Sequence, residues 1–222
     1  MFAGYFLNAV MPVGQATLAT LQKQASPERL QRAMRYRQGD DQARCLLSGS
    51  LLNQALKCQG VDEAEQHIRR TRFGKPVLTV NDTQHFNLSH SGSWVVCAVD
   101  DQPVGVDVER QARRRGIEFD ELFTAEEMDY LKNDKQGSLW QRFYRLWTLK
   151  ESYLKALGTG MYQSMQSFTV NILDNHHARL SVAGRPQKDW YFYSFEPDGN
   201  HTCSICTRRP VRAEQFHFSC VN

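Results

Sequence analysis

Two short segments carry the side chains best suited to chemistry. In Gly105-Val-Asp-Val-Glu109, Val104, Val106 and Val108 alternate with Gly105, Asp107 and Glu109. That period of two predicts a strand with both carboxylates on one face and a glycine beside them. In Leu146-Trp-Thr-Leu-Lys-Glu-Ser-Tyr-Leu-Lys155, Trp147, Glu151 and Lys155 recur every four residues and share one stripe of a predicted helix. Taken singly, a strand ending in Asp and Glu is commonly solvated, and Glu–Lys at this spacing is commonly a surface pair. Taken together, three carboxylates and a lysine can converge from two elements, which is what a divalent cation bound to a phosphate requires.

The elements that must position them follow from pattern and punctuation. The apolar Met1 to Val10 has no basic leader and reads as a strand, not a signal peptide. Ser26-Pro27-Glu28 is a helix start, with Ser as N-cap and Pro at the first helical position; that helix is expected to reach about Gln38. A second helix is predicted over Asp41 to Lys57, with Gly60 beyond its end. Strands are expected over 68–72, 77–80, 86–88, 94–99 and 104–109. Thr124-Ala-Glu-Glu127 is a capping box opening another helix. The long helix of about Gly137 to Leu157 ends at Gly158-Thr-Gly160, and strands follow over 168–173, 178–182, 190–195 and 201–207. Helices then strands, twice, predict an α+β fold of two similar halves, 1–103 and 104–222.

The chain of 222 residues can bury a substantial core, and 41% hydrophobic with 23% charged residues is an ordinary globular composition. The 27 basic against 24 acidic side chains argue against a nucleic-acid binder. No run is long enough to span a bilayer, so a cytoplasmic protein without membrane contact is expected. Cys203 and Cys206 have metal or redox spacing, but in a strand residues three apart face opposite ways; neither a zinc site nor a disulfide framework is expected. His67, His85, His176, His177, His201 and His217 read as structural.

The two opening segments resemble, in this order and spacing, the signature of the 4′-phosphopantetheinyl transferases, nearest the long, surfactin-synthetase-activating type. Ser26-Pro-Glu-Arg-Leu-Gln-Arg32, Asp41-Gln-Ala-Arg44, Gly74-Lys-Pro76 and Phe86-Asn-Leu-Ser-His-Ser91 look like the family's other motifs, so the likeness spans roughly residues 26 to 173. It implies a pseudo-dimeric fold with the active site in the cleft between the halves, and a monomer. It implies that coenzyme A is bound by Arg29, Arg32, Arg44, Lys75, Ser89, His90 and Lys155, and that Mg²⁺ is held by Asp107, Glu109 and Glu151. The reaction implied is transfer of the 4′-phosphopantetheine arm to a serine of an apo acyl- or peptidyl-carrier protein, with Asp107, Glu151 and Lys155 catalytic. The general base stays open between Glu151, directly or through water, and Glu127. Arg113 to Arg115, with apolar residues near Leu122 and Phe123, are a candidate docking face for an acidic carrier. The rival readings are a metal-dependent coenzyme A or nucleotide pyrophosphohydrolase and a non-catalytic coenzyme A-binding module.

Overall fold

The computed structural model describes residues 1–61, 68–79, 83–133 and 137–221. His67 and the far end of the strand expected at 77–80 lie outside them. The first half holds β1 (Ala3–Ala9), α1 (Gln15–Gln24), α2 (Pro27–Ala33), α3 (Gly39–Cys58), the hairpin β2 (Ile68–Arg70) and β3 (Pro76–Leu78), β4 (His85–Ser91) and β5 (Trp94–Asp100). The second holds β6 (Gly105–Arg110), α4 (Phe119–Leu122), α5 (Ala125–Lys132), α6 (Leu139–Leu157), β7 (Phe168–Ile172), β8 (His177–Val182), β9 (Arg185–Asp198), β10 (His201–Thr207) and β11 (Phe216–Val221). Among the described residues no helix is long and apolar enough to cross a membrane.

Two main sheets result, in strand order β11-β1-β5-β4 and β6-β10-β9-β8-β7. The first is not confined to the first half: β11 returns to pair in parallel with β1. Among the described residues there are four apolar cores, one of them gathering Phe123, Leu131 and Phe143 around α5 and α6, and strand alternation organises the other three. Val95, Cys97 and Val99 of β5 join Leu47, Leu51 and Leu52 of α3 in one. Leu149, Tyr153 and Leu154 of α6 join Phe168, Leu180 and Phe192 of the second sheet in another. Trp94, Val96 and Ala98 on the other face of β5 meet Val104, Val106, Val108, Cys203 and Ile205 in a third, between the sheets. Cys203 thus faces the intersheet core and Cys206 the α6 core, as their spacing in a strand dictates.

The edge strands β4 and β6 meet without a backbone ladder. Side chains replace it: the Val106 amide donates to Asn87 Oδ1 (2.9 Å), Val108 to Ser89 Oγ (3.4 Å) and Arg110 to Ser91 Oγ (3.0 Å). Three rungs two residues apart join the halves along one seam.

The long helix is built as its caps predict. Ser138 and Gln141 form a reciprocal capping box, and Gly158 closes it in the left-handed region at φ 76°. It lies directly on β6, where a Cβ on Gly105 would stand 1.9 Å from the Ser152 carbonyl oxygen and 2.5 Å from the Ala156 nitrogen. The glycine is there because helix backbone occupies the space a side chain would need.

Some expectations are corrected. The helix begun at Ser26 has its N-cap, with the Arg29 amide donating to Ser26 Oγ (3.2 Å), but stops at Ala33, not Gln38. The chain turns there before α3, whose first turn carries Asp40 and Asp41. Helices α1 and α4 and strand β11 were not expected. Helix α1 has no side-chain N-cap and buries only Leu21, so its apolar periodicity is faint.

Candidate active site

A cleft of about 1220 Å³ runs along the β4–β6 seam, walled by α2, α3, the β2–β3 hairpin and α6. One end is acidic. Asp107, Glu109, Trp147, Glu151 and Lys155 line it, brought there by the strand and helix periodicities that α6 packing on Gly105 sets face to face. Asp107 is 3% exposed. Its Oδ1 accepts from the Lys155 ammonium (2.6 Å) and from Ser89 Oγ (2.9 Å), and Lys155 also donates to Ser89 Oγ (2.9 Å). Glu109 Oε2 accepts from Ser91 Oγ (3.0 Å), with Arg114 further off at 4.0 Å. Burial, and then the neighbouring Asp107 charge, raises the carboxyl pKa of both Glu109 and Glu151.

The other end is basic. Arg29, Arg32 and Arg35 reach it from α2 and the turn after it, Arg70 from the hairpin. Arg29 lies over Gly49 of α3, where a Cβ would stand 2.9 Å from Nε. Burial, and then the charges of Arg32 and Arg29, lowers the Arg70 pKa, so these guanidinium groups crowd one another. An anion is what such a cluster lacks. Ser89 and His90 line the stretch between the ends. Burial, followed by the Arg44 and Lys155 charges, lowers the His90 pKa and favours its neutral ring.

Two expected phosphate ligands point elsewhere. Arg44 donates to the Gly92 carbonyl (3.0 Å) and pairs with Asp41 (2.7 Å), so it braces the cleft wall behind His90. Lys75 is more decisive: its neighbours Gly74 and Pro76 line the cleft, but its ammonium donates to the carbonyls of Ala156 (2.9 Å) and Val104 (3.3 Å). It caps the last turn of α6, and burial pushes its pKa down to about 8.

Glu127 is equally engaged. Both its oxygens accept from the fully buried Lys150 ammonium (2.7 Å each), and they take the amides of Thr124 (2.9 Å) and Val170 (2.7 Å) besides. It pins α5 to α6 and β7 and is not among the residues that line the cleft. Phe123 is 2% exposed and packs on Phe143, so it offers nothing to a docking partner; Arg113 and Arg115 are exposed. Arg35, Arg70, Asn87 and Ser91 were not singled out. The last two had a visible signal, a polar residue at every second place through Phe86 to Ser91.

The donor set suits a hard divalent cation. Among the described residues Asp107 Oδ2 is buried and has no hydrogen-bond partner, and two further carboxylates share its field. Among the same residues no three carboxylate, histidine or cysteine side chains form a ready cage. Mg²⁺ does not require one, since it is commonly held by one or two carboxylates, waters and substrate phosphates.

Comparison with known proteins gives the same direction. Residues 12–102 match the family model "4′-phosphopantetheinyl transferase, N-terminal", and residues 103–206 match "4′-phosphopantetheinyl transferase superfamily". The chain is 30% identical to 4′-phosphopantetheinyl transferase Sfp of Bacillus subtilis over 83% of each chain. It is 34% identical to 4′-phosphopantetheinyl transferase gsp of Aneurinibacillus migulanus, covering 84% of this chain and 78% of that one. It is 32% identical to the L-aminoadipate-semialdehyde dehydrogenase-phosphopantetheinyl transferase of Rattus norvegicus, over 76% of this chain and 62% of that one. The cleft between the two α+β halves has arginines at one end and carboxylates at the other, and the family matches make the chain a transferase. The chain belongs to the 4′-phosphopantetheinyl transferase superfamily.

Proposed function

We propose that the chain moves the 4′-phosphopantetheine arm of coenzyme A onto a serine hydroxyl of an apo acyl- or peptidyl-carrier protein, with Mg²⁺, and releases 3′,5′-ADP. The observation that supports this reading is the polarity of one continuous cleft: four arginines at one end, three carboxylates and Lys155 at the other. Coenzyme A has the matching layout, a lone 3′-phosphate at one end of its nucleotide and a pyrophosphate at the other.

Arg29 and Arg32 hold the 3′-phosphate, and Arg35 and Arg70 add charge to the same wall. Arg44 acts through His90, which with Ser89 faces the diphosphate. Asp107, Glu109 and Glu151 hold the metal, which when bound neutralises charge building on the pyrophosphate. Glu151 accepts the proton of the attacking serine, directly or through a water. The serine oxygen forms a bond to the β-phosphorus of coenzyme A as the bond to the 3′,5′-ADP oxygen breaks. Lys155, already within hydrogen-bond reach of Asp107 and Ser89, stabilises the leaving phosphate. The division we infer follows these roles: residues 1–103 grip the nucleotide and 104–222 carry the carboxylates. One chain supplies both walls, so we take the working unit as a monomer, acting in the cytoplasm.

The test is the intact mass of an apo carrier protein after incubation with the chain, coenzyme A and Mg²⁺. The expected result is a gain of one phosphopantetheinyl group. EDTA should abolish it, and Asp107→Ala should slow it on the order of 10²–10³-fold, the scale of losing a principal electrostatic contact. Hydrolysis of coenzyme A with no change in any carrier would overturn the reading in favour of a hydrolase.

A further inference from the structure

The seam between β4 and β6 does more than join the halves. Each serine rung uses both capacities of a hydroxyl, one donor and two acceptor lone pairs. Ser89 Oγ accepts the Val108 amide and donates to the Asp107 carboxylate. Ser91 Oγ, two residues on, accepts the Arg110 amide (3.0 Å) and donates to Glu109 Oε2 (3.0 Å). The third rung, Asn87 to Val106, has no carboxylate beside it because the residue there is Gly105, pressed against α6. One rule, repeated at a spacing of two, thus fixes the strand and aims its acids together.

We propose that Ser91 is a positioning residue for Glu109, holding that carboxylate in the acidic end of the cleft as Ser89 holds Asp107. The inference rests on the reading of Glu109 as a metal-holding side chain. Glu has one more rotatable bond than Asp, and ordering it carries a larger entropic cost. Lys155 and Arg114 act on Glu109 through their charge, but the ion pair with Arg114 is 4.0 Å long with a side chain 55% exposed, which is a weak tether. The short bond from Ser91 is the one that can set its direction.

The experiment compares Ser91→Ala, Ser91→Thr, Glu109→Gln and the Ser91→Ala/Glu109→Gln double variant. Two readouts are taken: the Mg²⁺ dependence of transfer, and calorimetric binding of Mg²⁺ to the chain with coenzyme A present and no carrier. Ser91→Ala is expected to weaken Mg²⁺ about 10–100-fold in both, the usual size for losing an outer partner of a metal ligand. The maximal rate at saturating Mg²⁺ should fall much less. Ser91→Thr, which keeps the hydroxyl in a residue suited to strands, should restore Mg²⁺ affinity to within a few-fold. In the Glu109→Gln background the serine substitution should make no further difference to Mg²⁺, because its effect passes through the carboxylate. Unchanged Mg²⁺ affinity in Ser91→Ala would overturn the role of Ser91, as would an equal loss when Glu109→Gln is already in place. A wild-type chain whose transfer ignores Mg²⁺ would overturn the metal reading itself, a result separable from either.

Discussion

Asp107 concentrates the problem that the site must solve. It is buried, shares its field with Glu109 and Glu151, and has one oxygen satisfied by Lys155 and Ser89 while the other waits. These four charged residues were legible because each sits in a segment with its own periodicity, and only their convergence needed the fold. Arg70 was not legible, since a hairpin contributes no spacing from which its approach to Arg29 and Arg32 could be read. Lys75 shows the opposite failure: its motif was plain, but the carbonyls at the end of α6 take the ammonium. That capture gives a pH signature. Burial sets the folded Lys75 pKa at about 8, against an ordinary lysine value of 10.5 in the unfolded chain. Between those values the unfolded chain binds more protons, so the Lys75 contribution to stability rises with pH across that window. Below pH 8 both states hold the proton and the contribution is level. Chemical denaturation of the wild type and Lys75→Met at about pH 7.5 and about pH 9.5, on either side of the folded value, should show the wild type gaining on the variant at the higher pH. A difference that is constant or moves the other way would mean that the two carbonyls keep the ammonium charged.

Elements carry the accuracy of the site, and the closest tolerance is that between β6 and α6. Sequence pattern located both, because α6 has strong caps and a long apolar stripe and β6 alternates cleanly. It also placed Gly105 beside the carboxylates. What it did not supply was the reason for the glycine, a helix backbone 1.9 Å from where its Cβ would be. Gly105→Ala must therefore push α6, with Glu151 and Lys155, away from Asp107. Overpacking of this kind costs about 1–3 kcal/mol. A shift near 1 Å in catalytic geometry can lower a rate about 10²-fold. The expected variant is folded, melts some degrees lower, and transfers on that reduced scale under single-turnover conditions. A variant with wild-type rate would show that α6 can retreat without disturbing the Lys155–Asp107 contact.

At the scale of the whole molecule the two halves are not separable units. The α+β alternation was visible along the chain, but β11 was missed although Phe216, Phe218 and Cys220 alternate with His217 and Ser219. A strand that pairs with a segment two hundred residues earlier leaves no local trace of its partner; here β11 runs parallel to β1, from Gly4 opposite Phe216 to Ala9 opposite Val221. Its aromatic rings close one side of the intersheet core, with Phe216 and Phe218 at 5.2 and 5.0 Å from Phe6, and Gln215 Nε2 donates to the Phe2 carbonyl (3.1 Å). Ending the chain at Arg212 removes this cover but leaves β4, two strands from β1, and the whole cleft intact. Phe216 is half-buried and Phe218 largely exposed, so the apolar loss is about one buried aromatic side chain plus the surface of β1 that it uncovers, or ~2–4 kcal/mol. At about 2–4 °C per kcal/mol for a chain of this size, Tm should fall roughly 5–15 °C. Transfer well below the new Tm should stay within a few-fold of the full chain. An unchanged Tm would show β11 to be an ornament on the first sheet. Loss of transfer in a truncated chain that keeps its full circular dichroism would show instead that the far edge of that sheet governs the cleft.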